Sequence, residues 1–259
     1  MGHAGTLDPG ATGVLLVGLG RVTRLLRYPG AMPKTYVGEV VLGTETSTLD
    51  DEGEVTATHD MAGVTLEDAR RAGRDLVGDI EQMPPMVSAV KIGGRRLHAI
   101  ARAGEEVERE VRPVTVYRLE VGPARDPGVF TLDVACSAGT YVRVLAADLG
   151  RALGGGAHLR RLRRTAVGEF SAEEATPVEA LTAEAVLPPV EAMRGYERVV
   201  VGDDIAAEVA HGKVLSLDAL GVRGDGPWAV IGPSGDLLAV YEPHHEHRVK
   251  PSVVIASSQ

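Results

Sequence analysis

The residues best suited to chemistry lie at the start of the chain, in the stretch Gly2-His-Ala-Gly-Thr-Leu-Asp-Pro-Gly-Ala-Thr-Gly13. Four glycines and a proline directly after an aspartate are incompatible with a regular helix or strand, so we expect a tight irregular loop. Such a loop would hold Asp8 and His3 close to the end of a sheet. On these residues alone two interpretations stay open: a turn in which Asp8 caps local amides, or a site with a fixed carboxylate.

Other stretches that resemble functional motifs do not match those motifs closely enough to predict a site. The stretch Gly18-Leu-Gly-Arg-Val-Thr23 lacks the last small residue and the downstream acid of a dinucleotide fingerprint, and no Gly-Lys-Ser/Thr pair exists to form a phosphate-binding loop. The acidic run Asp50-Asp-Glu52 favours a solvated turn over a calcium loop. The run His244-His-Glu-His247 lacks the spacing of a zinc hydrolase and favours a polar tail. Cys136, the only cysteine, is expected to pack in the core, so we expect neither a disulfide nor a metal site.

The elements that must position the loop form an α/β (α+β) pattern dominated by strands. A short strand is expected at residues 14–19 with a helix after it, and a capping box, Thr65-Leu-Glu-Asp68, predicts a helix that ends before Gly78. Prolines exclude a helix at residues 83–88. The remaining patterns predict a strand at 34–42, a hairpin around 48–58, a strand at 89–92 followed by a helix to residue 103, an antiparallel pair at 113–121 and 129–136, a helix ending at residue 153, and a basic strand at 159–170.

The C-terminal part has a different composition. After a linker containing Leu187-Pro-Pro189 the chain changes to short β runs with one helix near residues 203–210. We therefore predict two domains, residues 1–195 and residues 196–259. The first would be a mixed, mainly antiparallel sheet with helices, and the second a small β-rich module.

Composition and charge limit the classes of protein to which this chain can belong. Hydrophobic residues make up 44% and charged residues 24% of the 259 residues, as in soluble globular proteins, and no apolar run is long enough to cross a bilayer. The net charge of −9 comes from residues 169–259, because residues 1–168 carry 21 basic and 21 acidic side chains. Two stretches, residues 83–103 and 139–168, are rich in basic side chains and could contact phosphates or be solvated faces. We expect a cytoplasmic protein.

Four ordered motifs resemble one family. The opening stretch is similar to the active-site signature of the bacterial tRNA pseudouridine-55 synthases, the TruB family. Agreement continues, in order and spacing, at Lys34-Thr-Tyr36, at Pro84-Pro-Met-Val-Ser-Ala-Val-Lys91, and at Cys136-Ser-Ala-Gly-Thr-Tyr-Val-Arg143 with Gly156-Ala-His-Leu159 and Leu162-Arg-Arg-Thr165. The resemblance covers about residues 2–170. The last 60 residues resemble, more weakly, the PUA-like RNA-binding module of family members.

The resemblance implies conversion of uridine 55 in the T-arm of tRNA to pseudouridine, with no cofactor and no metal. Asp8 matches the catalytic aspartate and Arg143 the arginine that orients it, and we expect this guanidinium to hold the pKa of Asp8 down. Tyr36 matches the tyrosine that stacks on the flipped base. The remaining matches are His3, which would help open the target loop, and Tyr141 and Leu162, which would line the uracil pocket. Lys91, Arg95, Arg160 and Arg163 are expected to contact the RNA backbone.

The family pattern also has residues ahead of the signature, including an opening strand and a Lys-Pro-containing loop. The chain begins one residue before the signature, and we expect this to reflect the choice of start site rather than a true loss. We further expect a monomer that needs no protein partner. Two alternatives stay open: an RNA-binding protein of the same fold whose catalysis is impaired by a short N-terminus, and a guide-RNA-dependent relative that modifies ribosomal RNA.

Overall fold

The structure is a computed structural model that describes residues 1–88, 91–92, 95–96 and 107–255, the side chains of 91–92 and 95–96 excepted. The helix predicted to end at residue 103 and part of the strand predicted at 89–92 therefore lie outside the described residues. The predicted α/β fold class is confirmed, with a mixed, mainly antiparallel sheet and a separate C-terminal β sheet. Every helix in the described part is too short or too polar to span a membrane.

The strands in chain order are β1 (Gly2–His3), β2 (Thr12–Gly13), β3 (Val17–Gly18), β4 (Lys34–Leu42), β5 (Thr44–Thr46), β6 (Val55–Thr58), β7 (Gly78–Gln82), β8 (Lys91–Ile92), β9 (Arg95–Arg96), β10 (Arg112–Pro123), β11 (Val129–Cys136), β12 (Ala157–Val167), β13 (Phe170–Ser171), β14 (Glu197–Val200), β15 (Leu215–Ser216), β16 (Trp228–Ile231), β17 (Leu237–Pro243) and β18 (Arg248–Val254). The α-helices are α1 (Arg27–Ala31), α2 (Leu66–Asp75), α3 (Val142–Ala152), α4 (Asp203–Ala210) and α5 (Leu217–Leu220). Short 3₁₀ turns occupy Gly20–Leu25, Val178–Ala180, Ala183–Ala185 and Pro189–Met193.

The chain divides into two compact units, and the larger consists of residues 6–14 and 31–173. Its sheet has the strand order β13-β12-β4-β11-β10-β7, and β2 pairs in parallel with β12. The other pairings along this order are antiparallel, including the predicted pair β10–β11. Helices α2 and α3 cover the sheet with buried aliphatic side chains, among them Leu145 and Leu149. Strand β4 therefore lies in the interior of the sheet, between the long strands β12 and β11.

Local sequence accounts for both helices. In α2 the predicted capping box forms, since the Thr65 side chain accepts the Asp68 amide and the Asp68 carboxylate accepts the Thr65 amide. Helix α3 is buried along most of its length and stops where Gly154 takes a positive φ. It lies very close to β12, because a Cβ on Gly150 would fall 2.5 Å from the backbone of Ala157. This close approach holds the C-terminal part of α3 against the start of β12, and Arg143 lies at the opposite end of the helix.

The smaller unit contains residues 1–5, 15–30 and 174–259. Its sheet has the order β14-β16-β17-β18-β15, and the core includes the fully buried Trp228 and Tyr241. Leu25 and Tyr28 pack in a second cluster with Met193 and residues of β16 and β17. The strand expected at residues 14–19 is limited to β3, and the expected helix after it is a 3₁₀ turn followed by α1. The domain boundary at 195/196 stays a prediction.

Candidate active site

The loop of residues 6–14 is shaped by backbone bonds rather than by regular structure. The Ala11 amide donates to the Asp8 carbonyl at 2.9 Å, and the Val14 amide donates to the Arg164 carbonyl at 2.9 Å. Gly13 has φ +104°, and a Cβ there would lie 2.0 Å from the Arg164 carbonyl oxygen. The glycine thus permits the parallel contact of β2 with β12. This explains why the glycine-rich stretch predicted from sequence forms an irregular loop.

Asp8 and Arg143, which are 135 positions apart in the chain, form a two-point ion pair. The Arg143 Nη2 donates to Asp8 Oδ1 at 3.0 Å, and Nε lies 2.9 Å from Asp8 Oδ2 as an ion-pair contact without good hydrogen-bond alignment. Arg143 is buried, with 3% of its side chain exposed, whereas the Asp8 side chain is 38% exposed. The carboxylate therefore has one side fixed by the guanidinium and another open.

The direction of the Asp8 pKa shift corrects the sequence expectation. Burial raises the pKa of Asp8 above its ordinary value, and the charge of Asp50 adds to this, whereas Arg143 lowers it. Desolvation is the largest of these effects, so the net shift is upward although Arg143 acts as expected. Arg143 therefore limits the rise in the pKa and favours the ionised form.

Arg143 also binds a second carboxylate and two backbone carbonyls. Its Nη1 donates to Thr48 O at 2.9 Å and to Asp50 Oδ2 at 3.1 Å, and its Nη2 donates to Val87 O at 2.9 Å. Together with the bond to Asp8 Oδ1, four acceptors meet the four N–H bonds of Nη1 and Nη2, while Nε makes the ion-pair contact with Asp8 Oδ2. The acidic turn that sequence patterning assigned to solvent thus contributes Asp50 to the site, with only 19% of its side chain exposed.

Tyr36 lies on β4 directly opposite Arg164 of β12, half-buried against the core. Burial is the main reason that the pKa of Tyr36 is raised, and a hydrogen bond from the Arg164 side chain opposes this rise. The negative charge of Asp8 also raises the pKa of Tyr36. The phenol therefore lies within the electrostatic influence of the Asp8 carboxylate.

A cavity of about 80 Å³ opens beside the ion pair, and Asp8, Asp50, Arg143, Leu159 and Leu162 contribute to its walls. This volume is far below the roughly 300–1,000 Å³ of sites that enclose drug-sized ligands, so it suits only a small group. Leu162, which the family resemblance assigns to the uracil pocket, lies in the wall of this cavity, and its contact with uracil stays a prediction.

Tyr141 lies at the N-cap of α3, two residues before Arg143. Its amide donates to the Gln82 side chain at 2.9 Å, and its carbonyl accepts from the same side chain at 3.3 Å. Gln82 is 1% exposed. Its side chain therefore pairs a backbone amide and a backbone carbonyl that water cannot reach. No sequence motif considered above pointed to Gln82, although a glutamine directly before an apolar Pro-Pro loop is a signal that could have done so.

The other predicted residues are distributed as follows. His3 lies on β1 in the smaller unit, paired with Val17. Arg160 is engaged by Glu39 at 2.8 Å and Asp126 at 2.7 Å, so its charge is largely compensated within the chain. Arg163 is exposed on β12. The side chains of Lys91 and Arg95 lie outside the described part, and all four RNA-backbone contacts stay predictions.

Solved structures share this arrangement of strands. A chain in the crystal structure of a Cbf5-Nop10-Gar1 complex matches with a TM-score of 0.71 and 25% sequence identity, over 99% of this chain and 75% of that chain. A chain in the structure of an H/ACA RNP bound to a substrate RNA containing 2′-deoxyuridine matches with a TM-score of 0.72, over 99% of this chain and 76% of that one. Its identity is 22%, so it shows the fold alone.

The family follows from the sequence comparisons. The model for the TruB family pseudouridylate synthase N-terminal domain matches residues 1–142, and that for the tRNA pseudouridylate synthase B C-terminal domain matches residues 143–193. The chain therefore belongs to the TruB family of pseudouridylate synthases. It is 45% identical to tRNA pseudouridine synthase B of Rhodococcus jostii, over 93% of this chain and 80% of the relative. The corresponding protein of Symbiobacterium thermophilum is 49% identical, over 82% of this chain and 72% of its own length.

Proposed function

We propose that this protein isomerises uridine 55 in the T loop of tRNA to pseudouridine. The observation that carries the proposal is the partly open Asp8 carboxylate, fixed by the buried Arg143 beside a small cavity. Membership of the TruB family and relatives named tRNA pseudouridine synthase B at 40–49% identity support the same activity. We also propose that the protein acts in the cytoplasm as a monomer, without a protein partner.

The reaction exchanges one bond for another without net oxidation or reduction. The bond between ribose C1′ and uracil N1 breaks, the base turns, and a bond from C1′ to C5 forms. C5 loses its proton and N1 gains one, so no group donor is consumed. The protein must supply a nucleophile or charge-stabilising group, a proton acceptor, and a space that holds the detached base away from water.

The described residues supply these parts. Asp8 provides the carboxylate, whether it attacks C1′, attacks C6 of the base, or assists departure of the base. Arg143 limits the rise in the Asp8 pKa and fixes the two oxygens. Tyr36, within the influence of Asp8, would stack on the base and help to move the proton from C5.

Access to the base requires that it leave the RNA stack, because the Asp8 carboxylate is held by Arg143 and partly enclosed by the cavity walls. We propose that His3 helps to open the loop and that Tyr141 and Leu162 line the uracil pocket. Arg163, Lys91 and Arg95 would contact phosphates, so binding should weaken steeply with salt. Arg160 is the weakest of these candidates, since Glu39 and Asp126 already neutralise it.

The two alternatives predict different results with the isolated protein. A catalytically impaired RNA-binding protein would shift tRNA on a gel and leave its uridines unchanged. A guide-RNA-dependent enzyme would be inactive on bare tRNA. The relatives named tRNA pseudouridine synthase B, at 40–49% identity, favour the tRNA substrate over the guide-dependent one.

The test is release of tritium from unmodified tRNA that carries 5-³H-uridine. We expect release by the wild-type protein up to one equivalent per tRNA, none by Asp8→Asn, and tRNA binding by that variant within about threefold of wild type. Asp75→Asn, which removes an exposed carboxylate at the end of α2, is the matched control and should retain full activity. Turnover by Asp8→Asn would refute the role of Asp8, and tRNA binding without tritium release by the wild type would favour the impaired protein.

A further inference from the structure

Arg164 is a buried charge that none of the steps above uses. It lies near the end of β12, and only 1% of the residue is exposed. A buried guanidinium is costly unless its N–H groups find acceptors, so its partners indicate what it does in the fold. Those partners lie around the Asp8 loop.

Both ends of the loop bond to this one residue. The Arg164 Nε donates to Val14 O at 2.7 Å, and Nη1 donates more weakly to Thr6 O at 3.4 Å. The Arg164 carbonyl accepts the Val14 amide at 2.9 Å, and Gly13 lies directly on that carbonyl. Asp8 lies between these attachment points, in a loop whose regular structure is limited to the two residues of β2. The position of its carboxylate therefore depends on Arg164 as well as on Arg143.

The same guanidinium reaches Tyr36. The register places Tyr36 directly opposite Arg164 on the neighbouring strand, and the Arg164 side chain lowers the pKa of the Tyr36 phenol against the larger effect of burial. Lys34 lies close enough for the Arg164 charge to lower its pKa, in addition to the larger effect of burial. An apolar residue at position 164 could not donate to the carbonyls at both ends of the loop.

We propose that Arg164 is a positioning residue of the active site, which sets the Asp8 loop and the Tyr36 phenol at a fixed distance from each other through one rigid guanidinium. The proposal rests on the proposed function for its catalytic consequence, but its structural content is independent of it. A lysine could keep the charge, yet its single ammonium cannot serve Val14, Thr6 and Tyr36 in the planar geometry of an arginine.

Hydrogen exchange of the wild-type protein gives the first test, because it needs neither a variant nor activity. We expect the amides of Ala11 and Val14 to exchange much more slowly than those of the exposed segment 174–189. Exchange of the loop as fast as that of the segment would overturn the proposal. A wild type that is inactive in the tritium assay would refute the proposed function and leave this result valid.

The second test uses Arg164→Lys, with Arg118→Lys as the matched control on the exposed face of β10. We expect the single-turnover rate of Arg164→Lys to fall about 100-fold, since a displacement of about 1 Å can have that effect, with the Kd for tRNA within threefold of wild type. Exchange in residues 6–16 should rise at least tenfold, and exchange in β16 and β17 should not change. A rate within threefold of wild type, a loss confined to tRNA affinity, or faster exchange throughout the protein would each overturn the proposal.

Discussion

Replacing Asp50 by Asn tests whether the second carboxylate on Arg143 matters for catalysis. The change keeps the shape of the side chain and removes one negative charge 3.1 Å from Arg143 Nη1. At an effective dielectric constant of about 20, that contact has a gross attraction of about 5 kcal/mol. Most of this is offset by desolvation, and hydrogen bonds to charged groups contribute about 1.5–3 kcal/mol net. If that contribution is lost in the transition state, the rate falls by about 10- to 100-fold.

The pH dependence gives the sign of the electrostatic effect. Asp8 must be ionised to act, and its pKa is raised above the ordinary value by burial first and by Asp50 in addition. Removing the Asp50 charge lowers the pKa of Asp8, so the acidic limb of the rate profile should move to lower pH while the plateau falls. A merely structural defect would lower the plateau without moving the limb.

The assay is single-turnover tritium release between pH 4.5 and 8, with tRNA binding measured in parallel. Asp60→Asn, an exposed carboxylate before α2, is the control and should match wild type. We expect the Asp50→Asn Kd to stay within threefold. A plateau within twofold of wild type, or an acidic limb that moves to higher pH, would contradict the reasoning about the shared guanidinium.

Two further changes test the scaffold of the site. Gly13→Ala places a Cβ 2.0 Å from the Arg164 carbonyl at a positive φ, so we expect a loss of about 1–3 kcal/mol in the free energy of unfolding and a larger proportional loss of activity. Gly63→Ala, with open space around its Cβ, should change stability by less than about 1 kcal/mol in the same urea titration. Gln82→Leu removes both bonds to Tyr141 and leaves a backbone amide and carbonyl without them, so it should cost about 2–4 kcal/mol. An unchanged urea midpoint would show that water replaces Gln82.

Local patterns predicted the elements but not the partners that assemble the site. The capping box at Thr65 and the alternation in β10 and β11 depend on residues close in sequence, and both predictions are confirmed. Asp8 and Arg143 were paired only through the family resemblance, because nothing local relates positions 135 residues apart. Asp50 was missed for the same reason, since a turn with three acids is usually solvated. The predicted direction of the Asp8 pKa shift was wrong, because the burial of a side chain cannot be read from its residue type.

The two buried arginines fix different parts of the loop. Arg143 meets the carboxylates of Asp8 and Asp50, and Arg164 meets the carbonyls at both ends of the loop that carries Asp8. Side chain and backbone are thus fixed by separate guanidinium groups, each with several acceptors. The entropic cost of ordering the carboxylate is therefore met when the protein folds rather than when the base binds. A carboxylate that is already in position can accelerate the reaction without being ordered during the reaction.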